Sequence, residues 1–143
     1  CPEGFVSHRQ KCYWVSDMIE NYRAAEGLCE GLGGRLAVIK DADTQQFLAD
    51  YIRNTASQHS TSAYWIGLQN VMEGNFIWSD GTQLMGYNNW QPGEPSNHFW
   101  SENCVHMYPR FDLKWNDQTC TTRMGCICEI GKQKFPKKSN FMS

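Results

Sequence analysis

Apolar and polar positions in the first third of the chain follow two different periods. Residues 1 to 15, CPEGFVSHRQKCYWV, set short apolar runs about a polar centre and predict a hairpin with Cys1 and Cys12 near its two ends. From Asn21 to Leu32 the spacing becomes helical, with Ala25, Cys29 and Leu32 on one side, until Gly33-Gly34 stops the helix. Arg35 to Ile39 is a short apolar run and predicts a strand. Asp43-Thr44-Gln45-Gln46 has the form of a capping box, in which Asp43 accepts from the backbone and Gln46 reaches back. The helix it opens puts Phe47, Leu48, Tyr51 and Ile52 on one face and ends near Asn54, before a polar loop over 55 to 62.

The texture then changes. Tyr64-Trp65-Ile66-Gly67-Leu68 and Phe76-Ile77-Trp78 predict strands joined by a turn at Glu73-Gly74. Ser79 to Asn103 carries almost no periodic signal. A stretch of that length without regular structure inside a compact domain is usually functional. Cys104 to Tyr108 and Gly125 to Glu129 predict two more strands, with Lys114-Trp115-Asn116-Asp117 between them. The order is α+β: a hairpin, two helices, then antiparallel strands around one long loop.

Composition sharpens this picture in three places. A chain of 143 residues fits one domain, assigned to 1–131 with a basic tail at 132–143 that carries Lys132, Lys134, Lys137 and Lys138. Apolar residues are 41% of the chain and aromatics 13%, so the aliphatic core is modest. A net charge of −2 argues against nucleic acid, and no apolar run approaches the ~20 residues of a membrane span. Seven scattered cysteines with no C-x-x-C pair point to disulfides and a secreted, extracellular protein. The start at Cys1, with nothing resembling a signal segment, reads as a mature or trimmed form.

The order Tyr64-Trp65-Ile66-Gly67-Leu68, Glu94-Pro95-Ser96, Glu102-Asn103-Cys104, Trp115-Asn116-Asp117 and Cys128-Glu129 resembles the C-type lectin-like domain over residues 1 to about 130. The resemblance implies disulfides Cys1–Cys12, Cys29–Cys128 and Cys104–Cys120, leaving Cys126 over. Cys126 is then either a buried thiol or the site of an interchain disulfide. The resemblance also implies a cis peptide at Glu94–Pro95, bringing residues 94 and 96 toward one ion.

The chemistry of the long loop follows from its oxygens. Glu94, Ser96, Glu102 and Asn116 can each offer a side-chain oxygen, and Asp117 a side-chain and a backbone oxygen. Such hard donors suit Ca²⁺, which takes about 6–8 oxygens, and would leave about two positions for neighbouring sugar hydroxyls. Taken singly, Asn116-Asp117 is a turn signal, Trp115 a core residue and Glu94 a solvated acid. As a spaced set they predict a calcium-dependent, non-catalytic lectin for glycans on microbial or host surfaces. Glu-Pro-Ser stands where the family's mannose-type members have Glu-Pro-Asn and its galactose-type members Gln-Pro-Asp. Glu94 keeps the mannose, fucose and N-acetylglucosamine type slightly ahead, with galactose open. His98 falls where the family places a side chain beside the sugar, and Trp100 or Phe99 either stacks on a sugar ring or packs into the loop's base. Glu94, Ser96, His98, Trp100, Glu102 and Asn116 form the expected carbohydrate contacts. An auxiliary ion site would draw on Asn70, Glu73, Asn97 and Glu102, two of them amides, and is expected to be weak. One shallow site per chain gains from clustering, so a homo-oligomer is left open. The alternatives are a lectin-fold protein that binds protein, lipid or mineral without simple sugars, and a glycosidase using Glu94 and Glu102.

Overall fold

The computed structural model describes residues 1–58, 61, 63–72, 74–96 and 103–132, with only the backbone of Met72 and Phe111. The expected positions Glu73, Asn97, His98, Phe99, Trp100 and Glu102, and the tail from residue 133, lie outside the described residues.

The hairpin is β1 (Val6–His8) against β2 (Lys11–Glu20), turning at Arg9, whose φ of 54° is left-handed. β2 runs on to Glu20, five residues beyond the predicted hairpin, and pairs antiparallel with β8 (Met124–Gly131). Helix α1 (Tyr22–Gly31) is capped by Asn21, whose side chain accepts the Ala24 N–H, and it buries Tyr22, Ala25 and Cys29. The strand expected over 35–39 is laddered only at β3 (Arg35–Leu36). Beyond it the chain stays buried but bonds singly, the Ala37 N–H to Ile127 O and the Val38 N–H to the Glu129 carboxylate.

Helix α2 (Ala42–Asn54) starts two residues earlier than the capping box implied. Asp41 is the cap, accepting the Thr44 N–H at 2.8 Å, while Gln46 turns forward to Asp50. Asp43 faces the hairpin instead, pairing with Arg9 and His8. The inward face of α2 carries Leu48, Ala49 and Ile52 together with Thr44 and Gln45, and Phe47 and Tyr51 only border the core. Sequence periodicity discounted Gln45 because it is polar.

The rest of the sheet is β4 (Tyr64–Met72), β5 (Asn75–Trp78), β6 (Cys104–Tyr108) and β7 (Lys114–Gln118). Strand order is β1-β2-β8-β4-β6-β7, with β3 on β8 and β5 on β4. All pairings are antiparallel except β4 with β8. Gly67 in β4 is required by close approach: a Cβ there would lie 2.4 Å from Leu36 O, and its N–H and carbonyl bond Ala37 and Ser79. The sequence predicts only a connecting stretch at Lys114-Trp115-Asn116-Asp117, where the structure has β7. Its alternation buries Trp115 and Asp117 on one face, an apolar–acid pairing that does not look like a strand pattern.

Three disulfides have the expected partners: Cys1–Cys12, Cys29–Cys128 and Cys104–Cys120. The second closes a separation of 99 residues. On the chain-entropy account such a bridge contributes ~4.7 kcal/mol. One core gathers Leu48, Ile52, Ile66, Leu68, Val105 and Ile127 between α2 and the sheet; a second packs α1 on Trp65 and the 29–128 bridge.

Candidate functional site

The site is built on the end of the sheet where β7 meets the long loop. Trp115, fully buried, stands at the centre. Trp78, Tyr87 and Trp90 meet its ring edge-on at 5.5, 5.9 and 5.8 Å. Its backbone holds the loop: the Trp115 N–H donates to Asn89 O at 2.8 Å and its carbonyl accepts the Gln91 N–H at 2.9 Å. The Glu94 N–H then donates to Gln91 O at 2.9 Å, and Gly93 takes the left-handed φ of 90° that this turn needs.

Glu94–Pro95 is cis, as expected, and residues 94 and 96 both meet Asp117. The Ser96 N–H donates to Asp117 Oδ1 at 3.0 Å and the Ser96 hydroxyl lies 3.3 Å from the same oxygen. Asp117 is fully buried. The Glu94 carboxyl is pushed above the usual carboxylate range, first by burial and then by its hydrogen bond with Asp117 and that residue's negative charge, against donors from Ser96.

Two oxygens of the expected donor set are left over. Glu94 Oε1 and Asn116 Oδ1 are shut off from solvent and have no hydrogen-bond partner among the described residues, as has Gln91 Oε1 three residues before Glu94. Buried polar atoms are ordinarily satisfied, so two orphaned oxygens beside a buried carboxylate mark a place for something electropositive. The donor set is oxygen throughout, matching the hard-cation chemistry expected of it. Structure thus brings Glu94, Ser96 and Asp117 together, with Asn116 next in chain. Asn70 Oδ1, expected in the auxiliary site, is also buried and has no hydrogen-bond partner among the described residues, and that site's other members lie outside them.

Cys126 is the leftover thiol, 1% exposed, and burial, followed by the charge of Glu20, pushes it up to about 12. Its sulfur lies within 4.8 Å of those of Cys29 and Cys128. Those two are bonded to each other, so the trio is not a metal site. Burial puts the thiol out of reach of a second chain and favours the buried-thiol reading. A separate cleft of about 310 Å³ lies between the hairpin and the start of α2. Its cations are already paired, Arg9 with Asp41, Lys11 with Glu129 and Lys40 with Asp80, so it offers no uncommitted charge among these.

Residues 19–130 match the family described as the Lectin C-type domain. The chain is similar to the mouse low affinity immunoglobulin epsilon Fc receptor, 39% identical over 90% of this chain and 37% of the receptor. It is similar to perlucin of Haliotis laevigata at 34% identity, over 95% of this chain and 85% of perlucin. Among solved structures, the cow CD23 C-type carbohydrate-recognition domain, crystallised in the presence of a GlcNAc2Man3 oligosaccharide, superposes with a TM-score of 0.80 at 36% identity, covering 93% of this chain and 97% of that one. The chain therefore spans little more than a third of the receptor but most of perlucin.

Proposed function

The chain belongs to the C-type lectin domain family, and from that premise we propose that it is a secreted, non-catalytic module that binds glycans through a calcium ion. The single observation that carries the reading is that two oxygens of the expected donor set, Glu94 Oε1 and Asn116 Oδ1, are buried without a partner among the described residues, in the two stretches that the Ser96–Asp117 contact joins. A divalent cation would satisfy both, neutralise the crowded carboxylates and, when bound, polarise two neighbouring sugar hydroxyls. Glu94, Ser96, Asn116 and Asp117 would hold it, with Glu102 added from outside the described residues. Ser96 suits the role: a hydroxyl that donates to Asp117 keeps its lone pairs for a cation.

Glu94 presents an acceptor to an equatorial hydroxyl, which favours mannose, fucose and N-acetylglucosamine over galactose. The cow relative's oligosaccharide, built from mannose and N-acetylglucosamine, belongs to the same class. His98 and Trp100 would lie along the sugar, and multivalent presentation would supply avidity. Innate recognition of microbial or host glycans is the role such a site fits.

A glycan array with calcium, repeated with chelator, tests this directly. Calcium-dependent retention of mannose-type glycans is expected. Calcium uptake without sugar retention would move the assignment to a protein or mineral surface, and glycan hydrolysis in chelator would move it to an enzyme. Glu94→Gln combined with Ser96→Asp should shift retention toward galactose, and unchanged selectivity would count against the diol geometry.

A further inference from the structure

The two stretches that make up the described site, 94–96 and 116–117, are registered by one residue. Trp115 precedes Asn116 directly and its backbone bonds residues 89 and 91 of the loop, forming the parallel bridge Trp90↔Trp115. Whatever fixes Trp115 therefore fixes both halves of the site. Its indole Nε1–H donates to Gln45 Oε1 at 2.9 Å, and Gln45 Nε2 donates to Leu113 O at 3.1 Å.

Gln45 sits in the first turn of α2, 6% exposed, on a face otherwise apolar apart from Thr44. A buried amide is costly unless both its ends are satisfied, and here both are committed to strand β7 and the turn before it rather than to the helix. The amide's orientation follows from its partners, since an indole only donates and a carbonyl only accepts. The turn it grips is unusual: Asp112 and Leu113 have φ of 59° and 61°, two consecutive left-handed residues without glycine. Arg53 from the last turn of α2 pairs with Asp112, so one helix holds this turn at two points.

We propose that Gln45 is a positioning residue for the ion site, setting Trp115, and through it both the loop and β7, from the opposite side of the core. This rests on the calcium reading above. Residues that orient a metal's ligands without touching the metal commonly control affinity by about 10–100-fold.

The test uses the full chain with Gln45→Met, which keeps the volume and removes both bonds, and Gln45→Glu, which can still accept from the indole. Calcium affinity by titration calorimetry should fall about tenfold or more in Gln45→Met and recover in part in Gln45→Glu. In chelator, amide hydrogen exchange at Gln91 and Trp115 should quicken in Gln45→Met while the β2–β8 ladder stays protected. Undiminished affinity with Gln91 and Trp115 still protected overturns the proposal, as does loss of protection spread evenly through the ladder. If Gln45→Met does not fold, Trp115→Phe removes the same bond from its other end and the same pair of outcomes decides. If the original chain takes up no calcium, the ion reading fails on its own, and the exchange pattern in chelator still decides whether Gln45 holds the loop.

Discussion

The β2–β8 region and the loop over residues 79–96 share one chain but are held by different forces. Between Lys11 and Ser16, β2 is paired residue for residue with Gly131 to Cys126, and the 29–128 disulfide crosses directly behind. The loop has no strand of its own among the described residues. It is tied by two isolated bridges, Ile77↔Gln83 and Trp90↔Trp115, by a ring of aromatic edges around Trp115, and by oxygen contacts at Glu94 and Ser96. A ladder closed by a covalent bond keeps its shape whatever surrounds it. A loop organised by buried carboxylates does not, because its stability depends on what neutralises them. The fold thus divides into a part braced by ladder and disulfide and a part whose order, on the calcium reading proposed above, would answer to a ligand.

Removing the bridge beneath the ladder should have the largest effect. Cys29→Ser with Cys128→Ser is expected to cost ~4.7 kcal/mol of stability by the chain-entropy scaling, measured by denaturant unfolding. A loss confined to the long loop would blur the division drawn above. Trp115→Ala comes next, at about 3–5 kcal/mol for a fully buried tryptophan. It should also abolish calcium uptake, read by calorimetry, because the loop loses its anchor. Chelation should act on the loop alone. At free calcium a hundredfold above its dissociation constant the ion contributes ~2.7 kcal/mol, and withdrawing it should lower the melting temperature while ladder amides keep their exchange protection.

The smallest effect belongs to the contact between the loop and the segment joining β3 to α2. Asp80, just past β5, is held at about 2: burial works to raise it, but hydrogen bonds from Lys40 and Thr82 and the Lys40 charge outweigh that. Its folded value lies below its ordinary one, so its stabilisation is present above about pH 4 and is lost as pH falls toward 2. Asp80→Asn should remove that acid-sensitive step, at a neutral-pH cost of ~0.5 kcal/mol, as for other part-exposed pairs. An unchanged acid unfolding curve would show that Lys40 does not clasp the loop to the base.

Legibility in the sequence divides along the same line. Elements set by local pattern were readable: α1, the Cys104–Tyr108 strand at both ends, and the absence of a strand over 79–96 among the described residues of the long loop. What failed was whatever depended on a distant partner. The α2 cap is Asp41, which accepts the Thr44 N–H with one oxygen while the other meets Arg9, and Asp43 pairs with Arg9 and His8 of the hairpin, a long-range arrangement the local pattern does not show. The run over 35–39 lost its ladder after Leu36 because its remaining groups bond β8, β4 and a carboxylate singly. β7 escaped notice because an inward aspartate breaks the apolar alternation, and Gln45 because a polar residue on a helix's buried face leaves no periodic trace. Of the candidate ligands, Glu94, Ser96, Asn116 and Asp117 are expected from their spacing in a family resemblance, and the structure brings Glu94, Ser96 and Asp117 together. The orphaned oxygens that give the set a physical rationale exist only in three dimensions.

Cys126 makes the molecule its own clock. Only the thiolate reacts with alkylating reagents, and this thiol is enclosed by α1, β4 and β2 with its ionisation pushed up to about 12. Native protein should therefore score as thiol-free despite seven cysteines. Each modified molecule then records one opening of the interior, so the pace of labelling tracks how often the disulfide-braced half comes apart while every bridge remains intact.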